Sequence, residues 1–219
     1  MLAMVTPRTI RAADCRVMPW KNGQGSTTEL AVEPPGAALD GFLWRISIAE
    51  LRGPGPFSTF RGCDRIITQL DGPPMTLTHG GGAPVTLQPL VPHVFSGDDQ
   101  TECVVEGSAH DFNLIVRRDH ARATLAVHAL SEGETLAGEA DAVTVLHLRE
   151  GELAASGGEL LGPGDTRIEN AGGGVSYRTS RRALVLLALL RYPAGPAPGG
   201  VSDFSRTPGL TIAATLASG

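Results

Sequence analysis

Residues 151–165 read G-E-L-A-A-S-G-G-E-L-L-G-P-G-D, two short apolar runs around a glycine pair that end in a proline-glycine-aspartate turn. Glycine adopts positive φ at little cost and proline presets φ for a turn. The Asp165 carboxylate can bond the backbone just after such a bend. The stretch therefore predicts a β-hairpin followed by a tight turn.

The same order of features occurs earlier in the chain. Both halves contain a strand, a glycine turn, a second strand, a glycine-rich hairpin, a proline turn and a final apolar strand. The corresponding residues are Gly72 and Gly151, Pro89 and Pro163, and Phe95 and Ile168, at offsets of 79, 74 and 73 residues. A near-constant offset through several unlike elements indicates two copies of one structural unit.

The distribution of glycine and proline along the chain is typical of an all-β protein. The 28 glycines and 16 prolines among 219 residues leave few windows long enough for a helix. Many short strands at close spacing favour a sandwich or barrel. The predicted strands are Leu43 to Ile48, Arg65 to Leu70, Met75 to Thr78, Val85 to Leu87, Thr101 to Val105, Phe112 to Val116, Thr124 to Val127, Val143 to Leu148 and Ala183 to Leu190. One helical turn is predicted around His120 to Thr124.

Composition narrows the partners and the compartment. The 18 basic and 23 acidic residues give a net charge of -5 without a basic block, which argues against a nucleic-acid partner. Three widely spaced cysteines form no C-x-x-C pair, so we expect neither a zinc knuckle nor a disulfide scaffold. The same pattern favours a reducing compartment. The N-terminus lacks a signal-peptide run, and the longest apolar stretch spans eight residues. We therefore expect a cytoplasmic protein without a membrane partner.

Signatures of metal, nucleophilic and phosphate chemistry are missing from the sequence. The six histidines form no H-x-H pair, so we predict no metal ligands and no cofactor. His93, which follows Pro92, is the histidine placed where the first unit turns back. There is no G-x-S-x-G elbow and no G-x-x-x-x-G-K-[S/T] loop. Acid–base catalysis by Glu29 or Asp111 stays open, although neither residue has a partner that is visible in the sequence.

One polar segment has no long apolar side chain. Residues 20–29 read W-K-N-G-Q-G-S-T-T-E and combine an aromatic ring, a cation, an amide, three hydroxyls and a carboxylate with two glycines. Glycine lets a backbone approach a ligand closely, and the other side chains donate and accept hydrogen bonds. The segment is either a surface turn ahead of a strand that begins near Leu30 or the lip of a ligand pocket.

Three strands of the first half carry polar side chains on one face. Because side chains alternate along a strand, each such face meets solvent or lines a cavity. The residues that share these faces are Arg45 with Ser47, Arg65 with Gln69, and Asp111 with Asn113 and Arg117. The corresponding second-half strand, Ala183 to Leu190, is apolar on both faces and is predicted to be buried. This contrast favours a first unit that binds a ligand and a second that is mainly structural.

The phrase at residues 151–165 resembles the hairpin and P-G-D turn of cupin barrels. Two copies imply a bicupin, with two small antiparallel jelly-roll barrels joined near Arg118 to Ala123. The resemblance predicts an N-terminal barrel over residues 8–118, a C-terminal barrel over 119–193, and a Pro/Gly linker and tail over 194–219. The fold analogy also implies a possible homodimer through sheet edges.

A more specific resemblance covers about residues 10–192. The succession W-K-N-G-Q-G-S-T-T-E-L, F-L-W-R-I-S-I-A-E-L, G-P-F-S-T-F-R-G-C-D-R and H-D-F-N-L-I-V-R-R is similar to that of the HutD/Ves family of bicupins. Gln24 stands where that family tends to have a glycine. The resemblance implies a non-catalytic sensor in histidine utilisation, with N-formylglutamate as ligand, or a stress-related role of the Ves type.

The polar residues suit a small dicarboxylate. Such a ligand needs guanidinium groups that bind a carboxylate in a bidentate manner, together with neutral donors. We predict a ligand-binding set in which arginines and a lysine bind the carboxylates, neutral side chains bind the amide or formyl end, and acids orient the arginines. These residues are Trp20, Lys21, Asn22, Thr28, Glu29, Arg45, Ser47, Arg65, Asp111 and Asn113. A metal-independent cupin enzyme and a stress-related interaction protein remain the alternatives.

Overall fold

The computed structural model describes residues 5–193, so the predicted linker and tail over 194–219 lie outside the described residues. Within this range the chain is built from nineteen β-strands and one short 3-10 helix at Ala12–Asp14. In this part of the chain, no helix has the length and apolar character that crossing a membrane requires.

The strands in chain order are β1 (Arg8–Ile10), β2 (Arg16–Pro19), β3 (Gly25–Glu33), β4 (Trp44–Leu51), β5 (Gly55–Phe57), β6 (Cys63–Asp71), β7 (Thr76–His79), β8 (Val85–Thr86), β9 (His93–Ser96), β10 (Thr101–Val104), β11 (Ala109–Arg117), β12 (Arg122–Leu130), β13 (Thr135–Ala137), β14 (Val143–Glu150), β15 (Leu153–Ala155), β16 (Leu160–Leu161), β17 (Thr166–Glu169), β18 (Ser176–Thr179) and β19 (Ala183–Arg191).

Four antiparallel sheets form two barrels. In the first, the six-stranded sheet β2-β3-β4-β11-β6-β9 packs on the four-stranded sheet β5-β10-β7-β8, with Ile67, Leu77 and Cys103 in their common core. In the second, the five-stranded sheet β1-β17-β14-β19-β12 packs on β13-β18-β15-β16, with Leu146 and Tyr177 between them. The predicted all-β architecture of two small antiparallel barrels is confirmed.

The two barrels share a third core between their large sheets. Trp44 and Phe112 from the first barrel pack in one cluster with Leu186 from the second. The Trp44 indole donates a hydrogen bond to the hydroxyl of Tyr192 at 2.9 Å. In addition, β1 precedes the first barrel in sequence yet pairs with β17 of the second, with Arg8 opposite Ile168. The barrel boundaries at residues 8, 118 and 193 stay a prediction.

The internal repeat is visible in the backbone. Gly72 and Gly151 both have φ of +90°. A Cβ atom at Gly72 would lie 2.6 Å from the Ala109 Cα, and one at Gly151 would lie 2.8 Å from the Ala183 Cα. Only glycine accommodates both the positive φ and this close approach. The offset of 79 residues therefore reflects the same turn against the same neighbouring strand in each barrel.

The predicted helical turn around His120 to Thr124 is wrong. Residues 118–121 form the turn between the barrels, and β12 begins at Arg122. From there, nine residues pair in register with β19. A single helical turn is costly to nucleate, so a nine-residue strand ladder outweighs its local preference.

Candidate functional site

A cavity of about 640 Å³ opens in the first barrel. Its inner wall comes from β4, β6 and β11, which lie side by side in the six-stranded sheet. Because side chains alternate along these strands, one face of each supplies polar groups to the cavity and the other packs in the core between the barrels. The wall residues include Arg45, Ser47 and Ala49 from β4, Arg65 from β6, and Asp111, Asn113 and Ile115 from β11.

Three loops surround the mouth of the cavity. They comprise residues 20–22 after β2, 36–39 between β3 and β4, and 58–60 after β5. Lys21 and Asn22 are exposed at this rim, while the Trp20 indole is held by a 2.9 Å hydrogen bond to Thr27 Oγ1. Leu39 is 62% exposed although it contributes to the rim. The mouth therefore combines a cation, an amide and apolar surface around a buried polar wall.

The polar segment 20–29 is half loop and half strand. β3 begins at Gly25, five residues before the predicted start near Leu30. A Cβ atom at Gly25 would lie 2.2 Å from the Glu50 carbonyl oxygen and 2.9 Å from the Trp20 ring. Gly25 is therefore required by the close approach of β3 to β4. Gln24, which precedes it, is exposed and does not line the cavity.

Nine of the ten predicted site residues line the cavity, and Thr28 does not. Thr27 and Glu29 lie on the cavity side of β3, so the residue between them faces the other side of the sheet. Thr28 pairs with Ile48, whose side chain packs against the core between the barrels. The candidate site thus contains Thr27 and not the predicted Thr28.

Arg65 is enclosed by aromatic rings. Its side chain is buried, and it donates hydrogen bonds to the Ser58 carbonyl at 3.1 Å and to Asn113 Oδ1 at 2.8 Å. Burial lowers the pKa of the guanidinium to about 10, so the group keeps its charge at neutral pH. A cation over an aromatic face is attracted by the ring quadrupole. The rings belong to Phe57, Phe60 and Phe95, with centroids 5.3, 5.5 and 4.7 Å from the guanidinium carbon.

Asp111 and Asn113 extend this arrangement along β11. Asn113 Nδ2 donates a hydrogen bond to Asp111 Oδ1, while Asp111 Oδ2 is buried without a partner among the described residues. Asp111 has no exposed surface, and this burial raises the pKa of its carboxyl to about 7 despite the nearby charge of Arg65. The wall therefore holds a carboxyl group that can be neutral or ionised near neutral pH.

Arg45 is the more available cation. Its Nε donates a 2.8 Å hydrogen bond to Glu29 Oε2, and the pair forms a salt bridge at the cavity wall. The two terminal nitrogens of Arg45 have no hydrogen-bond partner within residues 5–193, although the side chain is only 6% exposed. Glu29 thus fixes the guanidinium by one edge and leaves its outer edge free for a ligand.

The histidine singled out in the sequence does not line the cavity. His93 Nε2 lies 3.0 Å from His79 Nε2, and the two rings stack with centroids 5.2 Å apart. His79 in turn stacks on Phe95, one of the rings around Arg65. Burial lowers the pKa of both imidazoles from 6.5. The pair therefore supports the aromatic enclosure from outside.

The second barrel lacks these polar groups at the same positions. In the first barrel Asp111 pairs with Gln69, and in the second Val185 pairs with Leu148, at the offsets that relate the two halves. By the same register, Leu187 replaces Asn113. The apolar side chains of the second barrel pack into a continuous core. The fold itself therefore does not require the buried polar residues of the first barrel.

Cupin barrels often hold transition metals through imidazole and carboxylate ligands, but this cavity has a different set of side chains. Its two acids, Glu29 and Asp111, lie beside Arg45 and Arg65, and no histidine within residues 5–193 lines it. Across the same range no group of three or more His, Cys, Asp or Glu is placed to hold a metal ion. Guanidinium groups repel a cation, so the donors present do not fit a metal.

Sequence reasoning missed the aromatic enclosure and part of the rim. Phe57 and Phe60 lie in the motif G-P-F-S-T-F, but their contact with Arg65 depends on how this segment packs against β6 in the folded chain. Arg16 lines the cavity from β2, a strand that was not predicted. An alternating pattern in R-V-M-P would have been the signal for it, because Arg16 and Met18 both face the cavity.

Comparisons with known proteins agree with this architecture. A family model described as HutD matches residues 12–186. An uncharacterised 21.2 kDa protein in the hutC 3′ region of Pseudomonas putida is 46% identical over 117 residues, which cover 53% of this chain and 61% of that protein. Protein Ves of Cronobacter sakazakii is 39% identical over 119 residues, covering 52% and 64% respectively. The chain thus spans less than two thirds of the length of these curated relatives.

A solved structure extends the similarity over the full architecture. HutD from Pseudomonas fluorescens SBW25, obtained in a formate condition, superposes with a TM-score of 0.71 at 33% identity and covers 86% of this chain and 100% of that one. The family model spans both barrels and includes every residue of the candidate site. The chain belongs to the HutD family.

Proposed function

We propose that this protein binds a small acidic metabolite in the cavity of its first barrel, with N-formylglutamate as the candidate, and moderates histidine utilisation without catalysing a reaction. Membership of the HutD family supports the pathway, as does the position of the Pseudomonas putida relative in the hutC 3′ region. The chemistry of the cavity supports the acidic ligand.

The observation that carries the proposal is the contrast between the two barrels. One fold occurs twice in the chain, and only the first copy has Asp111 and Asn113 where the second has Val185 and Leu187. Buried polar side chains cost stability unless they are hydrogen-bonded, and a packed apolar core is available at the same positions. Because the fold does not require these buried polar residues, their presence indicates that they bind a ligand.

The charges of the lining residues indicate the kind of ligand. Four basic and two acidic side chains line the cavity, so it carries a net positive charge. The outer edge of Arg45 is free, whereas both terminal nitrogens of Arg65 are bound within the protein. A guanidinium edge binds a carboxylate in a bidentate manner. We therefore assign direct contact with a ligand carboxylate to Arg45 and long-range attraction to Arg65.

Isothermal titration calorimetry tests the proposal. N-formylglutamate, glutarate, urocanate, histidine and glutamate are titrated into the wild-type protein and into Arg45→Met. Loss of a charge-assisted hydrogen bond costs about 1.5–3 kcal/mol, so Arg45→Met is expected to weaken binding by roughly tenfold or more. Arg52→Met is the matched control, because Arg52 is exposed and pairs with Glu50 outside the cavity.

Two results contradict the proposal. If none of the five compounds binds, the ligand class is wrong. If a compound binds equally well to the wild type and to Arg45→Met, the cavity is the wrong site.

A second candidate function rests on the carboxyl group of Asp111. Burial raises its pKa to about 7, which suits a general base at neutral pH. A metal-independent enzyme acting on the same acidic ligand would then use Asp111 or Glu29 as the base. NMR of each compound incubated with the protein tests this: turnover that is lost in Glu29→Gln or Asp111→Asn favours the enzyme, and an unchanged spectrum favours the binding protein.

A further inference from the structure

Asp111 stands at the end of a one-way chain of hydrogen bonds. Arg65 donates to Asn113 Oδ1, and Asn113 Nδ2 donates to Asp111 Oδ1. The second carboxylate oxygen, Asp111 Oδ2, is buried and has no partner within residues 5–193. Leaving a buried acceptor unpaired is costly, and an ionised oxygen is the most costly form.

The charge of Arg65 does not neutralise Asp111 directly. The guanidinium directs its terminal nitrogens to the Ser58 carbonyl and to Asn113, and no salt bridge joins Arg65 to Asp111 in the described part of the chain. Burial accordingly dominates and raises the pKa of Asp111 to about 7, with Arg65 and Asn113 opposing it only in part. The carboxyl group is poised to gain or lose a proton when its surroundings change.

The other groups that face Asp111 do not titrate near neutral pH. Its neighbours across the sheet are Ala49 and Gln69, which carry no charge. Burial lowers the pKa of Arg65 to about 10 and raises that of the Cys103 thiol to about 12. Around pH 8, Arg65 therefore stays charged and Cys103 stays neutral. Among these groups, Asp111 is therefore the one that can take up a proton at about pH 8.

We propose that the buried carboxyl group of Asp111 takes up a proton when the cavity binds an acidic ligand, because the ligand anion then lies near a carboxylate oxygen that has no partner within residues 5–193. The site thereby selects dicarboxylates without a free amine, because a neutral Asp111 does not repel an anion, whereas an ionised Asp111 attracts an ammonium group. This inference rests on the proposed function, since it needs an acidic ligand in the same cavity.

Proton uptake makes affinity depend on pH. An anion next to Asp111 disfavours its ionised form, so the bound complex holds the proton to a higher pH than the free protein does. The affinity for the ligand is then constant at pH values where Asp111 is protonated in both the free and the bound protein. Above the pKa of Asp111 in the free protein, the affinity falls by up to about tenfold per pH unit. A ligand that places an ammonium group at Asp111 shows the opposite trend.

Calorimetry in two buffers measures the proton directly. Glutarate is titrated into the full chain at about pH 8 in phosphate and in Tris, whose ionisation enthalpies differ, and the difference in heat gives the number of protons taken up, expected to be roughly 0.5–1. L-glutamate is titrated in parallel from about pH 6 to about pH 9. It is expected to bind more weakly than glutarate, and the difference in affinity is expected to decrease as pH rises.

Asp111→Asn is the decisive variant. Asparagine keeps an oxygen that accepts from Asn113 and is neutral at every pH, so glutarate is expected to bind with no proton uptake and with the same affinity at each pH. Asp119→Asn, at a side chain 75% exposed in the turn between the barrels, is the control and is expected to behave like the wild type.

The possible outcomes separate this inference from the proposed function. Absence of glutarate and N-formylglutamate binding at about pH 6 overturns both. Binding of glutarate without proton uptake, or uptake that persists in Asp111→Asn, overturns this inference alone. If Asp111→Asn does not fold, infrared spectra of the wild type decide. A band from a buried protonated carboxyl must disappear as pH rises in the free protein and persist when glutarate is bound. The absence of this band overturns the inference.

Discussion

The buried carboxyl group of Asp111 makes a quantitative prediction for the free protein. The folded state raises the pKa of this group from 3.8 to about 7, so between these values the folded state holds a proton that the unfolded chain releases. The stability that this proton contributes is complete below the unfolded pKa and is lost as pH rises to the folded pKa. Above about pH 7 the loss is complete and the contribution stays constant.

The size of the effect follows from the shift. A difference of about 3 pH units at about 1.4 kcal/mol per unit amounts to about 4 kcal/mol. Asp111→Asn has no ionisable group at this position and keeps the acceptor for Asn113. Relative to the wild type, the unfolding free energy of the variant is therefore expected to improve by about 4 kcal/mol between about pH 4 and about pH 8.

Urea unfolding at half-unit intervals across this range measures the difference. Other carboxylates, such as Asp165, have a lowered pKa in the folded state and change the stability of both proteins equally, so subtraction removes them. Asp119→Asn is again the exposed control. If the difference between Asp111→Asn and the wild type varies by less than about 0.5 kcal/mol from pH 4 to pH 8, Asp111 is ionised in the folded protein and the reasoning fails.

Further predictions concern close backbone contacts and the two faces of β3. Gly25→Ala is expected to lower the unfolding free energy in urea by about 2 kcal/mol or more, because the new methyl group would overlap the carbonyl of the neighbouring strand; a loss below about 0.5 kcal/mol would contradict this. Thr27→Val is expected to weaken ligand binding in calorimetry and Thr28→Val to leave it unchanged, whereas equal effects would mean that β3 has another register. Gly72→Ala and Gly151→Ala are each expected to cost about 2 kcal/mol or more in the same unfolding assay, and a marked inequality would contradict their equivalence.

Much of the fold was readable because its signals are local. Turn residues such as Gly72 and Gly151 mark positions where the backbone takes positive φ, and this requirement acts at one residue. Strand alternation predicts that Arg45 and Ser47 share one face, without any knowledge of the residues around them. The polar segment 20–29 was harder, because the start of β3 at Gly25 depends on the approach of β4.

The sequence by itself determined the two-barrel architecture and the family, and nine of the ten residues predicted from it line the cavity, since repeat spacing, turn chemistry and period-two alternation are local properties of the chain. Only the tertiary structure decided that Thr27 replaces Thr28, that β1 joins the second barrel, and that phenylalanine rings enclose Arg65. It also decided that Asp111 is buried without a direct ion pair, because charge neutralisation depends on which distant side chains meet in space.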